Sequence, residues 1–306
     1  MRSHYHTAIN PDDDNNSHAL MLRMVGFNKR VLEAGCASGH VSEMLNAQGC
    51  TVVGIENDPT VVEPAMQWLE RVIVRSIDDD GLWDELDGEF FDAILFGDVL
   101  EHLKDPLTAL TNSVKHLLPT GIVVISVPNI AHADVKISLM KGAFPYTESG
   151  LLDQTHIHFF TKDSLIDLVK KAGLAVTEIS RVTVPVFGTE IGTQRGDVDD
   201  DVLEAVLKDR ESETYQFVIK AVRDDGTRSL EKLSEDLVEL VDKLHDEVKR
   251  NEALEIRVEE LGTKVGVLEA QRDLDAQDLA RLRHQTDAIK RFIPAPVRNL
   301  LRKRFQ

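Results

Sequence analysis

Residues 30–45, RVLEAGCASGHVSEML, constrain the fold of this chain more than any other stretch. Val31 and Leu32 read as a short buried strand. Glu33 follows, then a run of small residues (Gly35, Cys36, Ala37, Ser38, Gly39), then a helical pattern from Val41. A strand that passes through a tight small-residue turn straight into a helix is the opening half of a βαβ unit. Such a turn lets a ligand come close to the backbone, and the helix start presents N–H groups with no partner inside the helix.

The rest of the first 222 residues repeats that alternation. Strands are expected at 31–34, 51–55, 72–74, 91–96 and 122–127, and helices at 18–24, 41–48, 60–69 and 106–118. The 60–69 helix is expected to open at Asp58-Pro59, and the 106–118 helix to stop at Pro119 and Gly121. Apolar runs of four to six residues alternating with helical patterns describe a parallel sheet covered on both faces. A helix at 162–172, with Thr161 as N-cap and Gly173 beyond its end, precedes a strand at 175–182. One short helix is expected within 197–210. A strand at 215–222 closes the domain, and the last two of the seven strands form an antiparallel edge pair. Residues 129–160 interrupt the rhythm and are rich in Pro, Gly, His and aromatic residues. Ordered insertions of that length are usually lids or substrate loops.

From residue 223 the pattern changes. With heptad position a at 230, the a residues are Leu230, Leu237, Leu244, Asn251, Val258 and Val265. The d residues are Leu233, Leu240, Glu247, Leu254, Leu261 and Leu268. Arg272 and Asp275 interrupt the frame, and Leu279, Leu282 and Ile289 resume it. A 3.5-residue period over 230–289 is a coiled-coil signature spanning about 90 Å at ~1.5 Å per residue. Asn251 at an a position favours two strands, and a homo-oligomer follows. Pro294 and Pro296 end the helix, and residues 294–306 form a basic tail with Leu300, Leu301 and Phe305 among the cations. That composition suits either the surface of an anionic membrane or a partner protein.

The formal net charge of −18 argues against nucleic-acid binding across the whole surface. No 18-residue apolar run indicates a transmembrane helix, and the N-terminal segment 1–29 has no secretory apolar core. With Cys36 and Cys50 read as free thiols, the expected location is cytoplasmic, with the tail at the inner membrane face.

Glu56 ends the second strand, 17 residues after Gly39. A carboxylate there can accept both hydroxyls of a ribose. The dinucleotide pattern GxGxxG is absent, which disfavours hydride-transfer cofactors. ExGxxxG after strand one, an acid after strand two, and FDAILFGDVLEHLKDP around strand four resemble class I S-adenosylmethionine-dependent methyltransferases, in the branch of the ubiquinone-type O-methyltransferases. DQTHIHFFTKDSL and the closing ETYQFVIKA resemble bacterial methyltransferases of cell-surface polysaccharide synthesis. The resemblance covers roughly residues 16–222. It implies a Rossmann-like α/β fold with a seven-stranded, mostly parallel sheet, and S-adenosylmethionine as cofactor.

By that resemblance Glu33, Gly35 and Gly39 would line the methionine portion, and Ala37 in the same turn would also contact the cofactor. Glu56 would hold the ribose and Asn57 would flank the adenine. Ile77 would close over the adenine, and Phe96, Gly97 and Asp98 would lie under the sulfonium. Ser76 stands where relatives often carry an acid for the adenine amino group, with Asp78 two residues on.

Methyl transfer to a hydroxyl needs a base near neutral pH, and histidine suits that task. His102, His156 and His158 are the candidates, with His156 first; the other role open to each is to brace the loop. Asp98, Glu101 and His102, with His156, also resemble the ligand set of metal-dependent RNA ribose methyltransferases. A divalent ion there is the less favoured reading, since Glu-His at this place also caps a helix in metal-free relatives. Phe144, Pro145 and Tyr146 could stack on an acceptor. The leading expectation is O-methylation of a sugar or glycan, with a glycan-assembly protein as partner. The alternatives are a small-molecule O- or N-methyltransferase with an oligomerising coil, or a catalytically degenerate scaffold.

Overall fold

The computed structural model describes residues 12–224 and, beyond them, 257–259, 261–266, 268–269, 271–273, 275–288 and 291. The chain divides into two units, Met1–Lys232 and Leu233–Gln306. The first holds a seven-stranded sheet built from β1 (Arg30–Ala34), β2 (Thr51–Glu56), β3 (Arg71–Val74), β4 (Phe91–Gly97), β5 (Leu117–Pro128), β6 (Leu174–Thr183) and β7 (Thr214–Arg223). The strand order is β3-β2-β1-β4-β5-β7-β6. Strands β1 to β5 run parallel, and β7 is antiparallel to both β5 and β6.

Alternation along the strands feeds two cores. Val31, Val52, Ala93, Leu95, Val124 and Val218 point to one face, where they meet Leu20, Met21 and Val25 of α1 (Ser17–Val25) and Leu45 of α2 (His40–Ala47). Leu32, Val53, Ile94, Phe96, Ile125 and Phe217 point to the other. There they pack on Leu110 and Val114 of α3 (Pro106–Lys115) and on Leu165 and Val169 of α5 (Lys162–Lys171). Each large apolar side chain removed from water contributes about 1.5–3 kcal/mol. With both faces covered, the central strands are buried along nearly their whole length, as β1 and β2 are past their first residues.

Three local expectations need correction. The helix expected at 60–69 is only a 3₁₀ turn, Ala65–Gln67. Pro64 lacks an N–H and disfavours helical backbone at Glu63, so the pattern cannot propagate. The helix over 106–118 stops at Lys115, and Leu117 instead joins β5 opposite Phe91. The insertion 129–160 is not all loop, since it carries α4 (Ala133–Met140), capped by the His132 side chain. Its apolar residues lie all round rather than on one face, and Ala133, Val135 and Ile137 are all buried, so no amphipathic stripe marked it. A further helix, α6 (Asp200–Leu207), lies in the acidic segment as expected.

Cys36 and Cys50 are buried free thiols. In the second unit the described residues are helical, and Val258, Leu261, Val265, Leu268, Leu279 and Leu282 are exposed on them. Residues 225–256, which hold the first half of the heptad pattern, lie outside the described residues, as do the tail 294–306 and residues 1–11. No described helix is long and apolar enough to cross a membrane.

Candidate active site

The sheet order reverses between β1 and β4, and in open α/β sheets the crevice beyond such a reversal is where ligands bind. Here it is formed by the turn after β1 and the turn after β4. The first turn is tied to β2: the N–H groups of Gly35 and Cys36 both donate to the Ile55 carbonyl, at 2.8 and 3.0 Å. Gly35, Ala37 and Gly39 all have positive φ, at 69°, 44° and 83°. A Cβ at Gly35 would lie 2.7 Å from Val99 Cγ2. Glycine therefore keeps open the narrow gap between the two turns.

Two cavities meet at this gap. One, of about 340 Å³, is lined by Gly35, Ile55, Glu56, Asn57, Arg75, Ser76, Ile77, Asp78, Asp98, Val99, His102 and Leu103. The other, of about 190 Å³, is lined by His18, Met21, Glu33, Ala34, Gly35, Cys36, Ala37, Ser38, His40, Val41, Leu95, Gly97 and Asp98. Gly35 and Asp98 line both. The larger space offers carboxylate and hydroxyl acceptors above an apolar floor, which suits a nucleoside. The smaller adjoins it at Gly35 and Asp98, with Glu33, Ser38, His18 and His40 set among apolar residues such as Met21, Val41 and Leu95.

Glu56 holds the geometry of the larger cavity. Its two oxygens accept the N–H groups of Ala37 and Asp58, each at 2.9 Å. A carboxylate has about four acceptor positions, so two backbone donors fix it and leave capacity for a diol. Glu33 is buried at the root of the turn and accepts a hydrogen bond from Ser42 Oγ. Burial pushes its carboxyl up to about 8, so it is largely neutral at pH 7.

Asp98 has φ +55°, uncommon outside glycine and asparagine. Its N–H donates to the Ser126 carbonyl and Oγ, and its carboxylate accepts from Ser126 Oγ and Gln216 Nε2. Desolvation raises its carboxyl to about 6. Asp78, the alternative to Ser76 at the adenine end, is engaged with the N–H groups of Lys104 and Asp105. Both Ser76 and Asp78 line the larger cavity.

Two of the expected cofactor residues line neither cavity. Phe96 is fully buried in the core beside α3 and α5, because the alternation of β4 turns its side chain to that face. Gly39 acts through its backbone: it is the left-handed N-cap of α2, and a Cβ there would meet Ala65 Cα at 2.6 Å. Several lining residues were not anticipated, among them Arg75 and Val99 at the larger cavity and three at the smaller. His18 and Met21 come from α1, and His40 opens α2. A histidine at the start of a mostly apolar helix was the only signal for His18.

The histidine segment folds back over the turn after β4. The N–H groups of Ile157 and His158 both donate to the Glu101 carbonyl, at 2.9 and 3.0 Å. This sets the His156 ring against the His102 ring, with centroids 4.8 Å apart. His102 Nδ1 lies 3.2 Å from the Thr155 carbonyl. Burial, then the neighbouring His102, holds His156 below the ordinary imidazole value, and Asp153 opposes the shift. His158 goes elsewhere, with Nε2 3.3 Å from the Lys104 carbonyl.

Glu101 is 1% exposed, and neither carboxylate oxygen has a hydrogen-bond partner. Burial and the nearby Asp98 raise its carboxyl well above the usual range. Ligand atoms of Glu101, His102 and His156 all lie within 4.8 Å of one another. Asp98 is not part of this group, being turned to Ser126 and Gln216.

A run of rings leads outward from His156. Phe159 is 6.3 Å away, Phe144 is 5.7 Å from Phe159, and Tyr146 is 5.3 Å from Phe144, all edge to face. Tyr146 is 65% exposed. Pro145, named with these two for an acceptor, is exposed between them.

A family model described as a methyltransferase domain matches residues 15–179, more than half of the chain. The chain belongs to that family. It is a class I S-adenosylmethionine-dependent methyltransferase. The ubiquinone biosynthesis O-methyltransferase of Cereibacter sphaeroides is 30% identical over 151 residues, 47% of this chain and 60% of that protein. The same-named enzyme of Dinoroseobacter shibae is 32% identical over 151 residues, 47% and 59% of the two chains. The methyltransferase thus spans about 60% of the length of these curated relatives. A solved S-adenosylmethionine-dependent methyltransferase from Archaeoglobus fulgidus aligns with a TM-score of 0.49 at 18% identity, over 67% of this chain and 91% of that one.

The residues present fit S-adenosylmethionine. The cradle at Gly35 would be filled by a Cβ, the acid ending β2 is poised for a diol, and the two joined cavities match a nucleoside with an amino-acid extension. Replacing Glu56 with alanine is expected to weaken cofactor binding about ten- to a hundredfold, the range for losing hydrogen bonds to a charged group. Calorimetric titration with S-adenosylhomocysteine measures it. An unchanged Kd in a variant with native circular dichroism would move the ribose contact away from Glu56.

Proposed function

We propose that this methyltransferase transfers a methyl group to a hydroxyl of a ring-shaped acceptor, a sugar or glycan first, with His156 as the general base. The observation that carries the reading is the position of His156. It sits against His102 at the edge of the larger cavity, at the inner end of a run of aromatic rings that reaches the surface at Tyr146. An aromatic wall gives a flat acceptor a face to lie on, and a polar end fixes its orientation. The resemblance of DQTHIHFFTKDSL to enzymes of surface-polysaccharide synthesis supports the glycan.

S-adenosylmethionine, when bound, supplies an electrophilic methyl group. Glu56 and Gly35 hold the nucleoside side, and Glu33 with the 35–39 turn holds the amino-acid side. His156 accepts the hydroxyl proton. Its lowered basicity keeps the ring neutral at pH 7, the form a base requires. The aromatic run orients the acceptor, and orientation is the larger part of catalysis in a direct displacement.

A phenolic acceptor is the second reading, favoured by relatives named as ubiquinone biosynthesis O-methyltransferases. Incubation with labelled S-adenosylmethionine and a panel of sugar nucleotides, lipid-linked glycans and catechols, read by mass spectrometry of products, tests both. Label only on catechols would overturn the glycan reading, and label on nitrogen alone would overturn both.

The same cluster has a second chemical reading, in which Glu101, His102 and His156 hold a divalent ion against the acceptor oxygen. The unpartnered Glu101 carboxylate favours it, since a buried acid with no hydrogen bond is costly unless something neutralises it. Exhaustive chelation is then expected to abolish turnover, with recovery on adding Mg²⁺, Mn²⁺ or Zn²⁺. Full activity in the chelated enzyme would exclude the ion.

We also propose that a second copy of the chain covers the exposed heptad face of the C-terminal helix. Val258, Leu261, Val265, Leu268, Leu279 and Leu282 all fall on positions a or d and are all exposed. Leu261→Asp with Leu268→Asp is expected to convert a dimer to a monomer in sedimentation equilibrium. An unchanged mass would contradict the coiled coil.

A further inference from the structure

Among the described residues, no Lys or Arg lines the smaller cavity. Its lining includes two acids, Glu33 and Asp98, and among the described residues the groups there able to carry positive charge are the imidazoles of His18 and His40. These two rings come from different helices, α1 and α2, and both line the cavity as an edge-to-face pair, with centroids 6.1 Å apart and planes at 75°. A cofactor with an amino-acid end brings a carboxylate into this space. A carboxylate entering a pocket with two acids and no fixed cation needs a counter-charge made on the spot.

We propose that His18 and His40 form a proton-loaded carboxylate site, so that binding the amino-acid end of the cofactor draws a proton from solvent. This rests on the assignment of the cavity to S-adenosylmethionine. Before the cofactor binds, burial, then the neighbouring His40, holds His18 below the ordinary imidazole value. Both rings are half-buried, so a charge placed there interacts with a bound anion more strongly than it would in open water.

Among the described residues, the other titratable groups lining this cavity are Glu33 of β1, Cys36 in the turn and Asp98 after β4. Among the described residues, none of β5, β6 or β7 lines this cavity. The charged residues Asp14 and Arg23 near α1, with Glu178 and Arg181 of β6, line a separate one. Glu33 acts with opposite sign. It is largely neutral below about pH 8, and an ammonium bound beside it would release its proton. Burial keeps the Cys36 thiol protonated, so it adds nothing near neutrality. The sign for the histidines follows from linkage. A group whose pKa rises on binding supports binding below its free-state value and loses that support as pH rises towards its bound-state value.

Calorimetry of the full chain tests the site with two probes. S-adenosylhomocysteine carries the amino acid; 5′-methylthioadenosine shares the nucleoside and lacks it. Titrations in phosphate and Tris at pH 7.5 differ by the buffer ionisation heat, which counts the protons taken up. For S-adenosylhomocysteine, wild type is expected to take up more protons than the double variant His18→Gln/His40→Gln. Its Kd is expected to weaken by up to tenfold per pH unit above neutrality. Methylthioadenosine is expected to bind both proteins alike, with a smaller pH slope, which also shows that the variant is folded. Equal proton counts in wild type and variant would overturn the proposal. If neither probe binds folded wild type, the cofactor assignment itself fails, which is a different outcome. Should the double variant not bind methylthioadenosine, the single variant His18→Asn gives the same comparison.

Discussion

Replacing His156 with alanine is expected to lower kcat by roughly 10²–10⁴-fold, the usual contribution of a positioned proton acceptor. Affinity for S-adenosylhomocysteine should stay unchanged, because His156 lines neither of the two cavities. The comparison is His158→Ala. His158 meets the Lys104 carbonyl rather than the His102–Glu101 cluster, so its loss should cost only a few-fold. The two variants remove the same side chain two residues apart, and they separate chemistry from bracing of the loop. Equal effects, or a His156 variant with wild-type turnover, would clear His156 of a catalytic role. Repeating the pair with and without added divalent ion distinguishes a base from a ligand. A ligand's loss also abolishes the response to metal, whereas a base's loss leaves it.

Sequence reading put His156 ahead of His158, but did not show the contacts that separate them. HIHFF suggests two imidazoles on one side of an extended segment. Instead the segment is pinned by two N–H bonds to the Glu101 carbonyl, a long-range contact that no local pattern encodes. The cofactor side was far more legible. Gly35, Ala37 and Glu56 depend on a strand, a turn and a second strand close together in the chain, so their spacing carries the geometry. The antiparallel end was legible too, because the last two strands follow each other without a crossover between them. His18 was not, since α1 reaches the cavity only after the whole sheet has formed. Phe96 shows the opposite failure, in which a motif position was assigned to the ligand although strand alternation sends its side chain to the core.

Gly39→Val is expected to destabilise the first unit by about 2–6 kcal/mol. Non-glycine backbone strain at φ +83° contributes about 1–3 kcal/mol, and forcing atoms into a filled space contributes about as much again. The filled space is Ala65, fully buried, whose Cα would lie 2.6 Å from the new Cβ. At roughly 2–4 °C per kcal/mol for a domain of this size, Tm should fall by about 5–20 °C. Gly142→Val is the control. Gly142 has φ +73°, but a Cβ added there would meet nothing within 4 Å, so it bears the strain without the clash. The excess loss at Gly39 measures how tightly the turn is pressed on the Ala65 segment. Equal losses at the two sites would show that close approach is not what Gly39 provides. The clash also displaces the N-terminus of α2, so cofactor affinity should fall in whatever fraction remains folded.

The central claim is that the crevice between β1 and β4 binds S-adenosylmethionine through Glu56 and the Gly35 turn. Thermal unfolding of the wild-type chain with and without S-adenosylhomocysteine tests it most directly. At a hundredfold excess over Kd, a ligand bound only by the folded state stabilises by about 2.7 kcal/mol, and Tm should rise with log concentration. Glu56→Ala should need about ten to a hundred times more ligand for the same rise. A wild-type protein with native circular dichroism and a Tm unmoved at millimolar S-adenosylhomocysteine would contradict the claim.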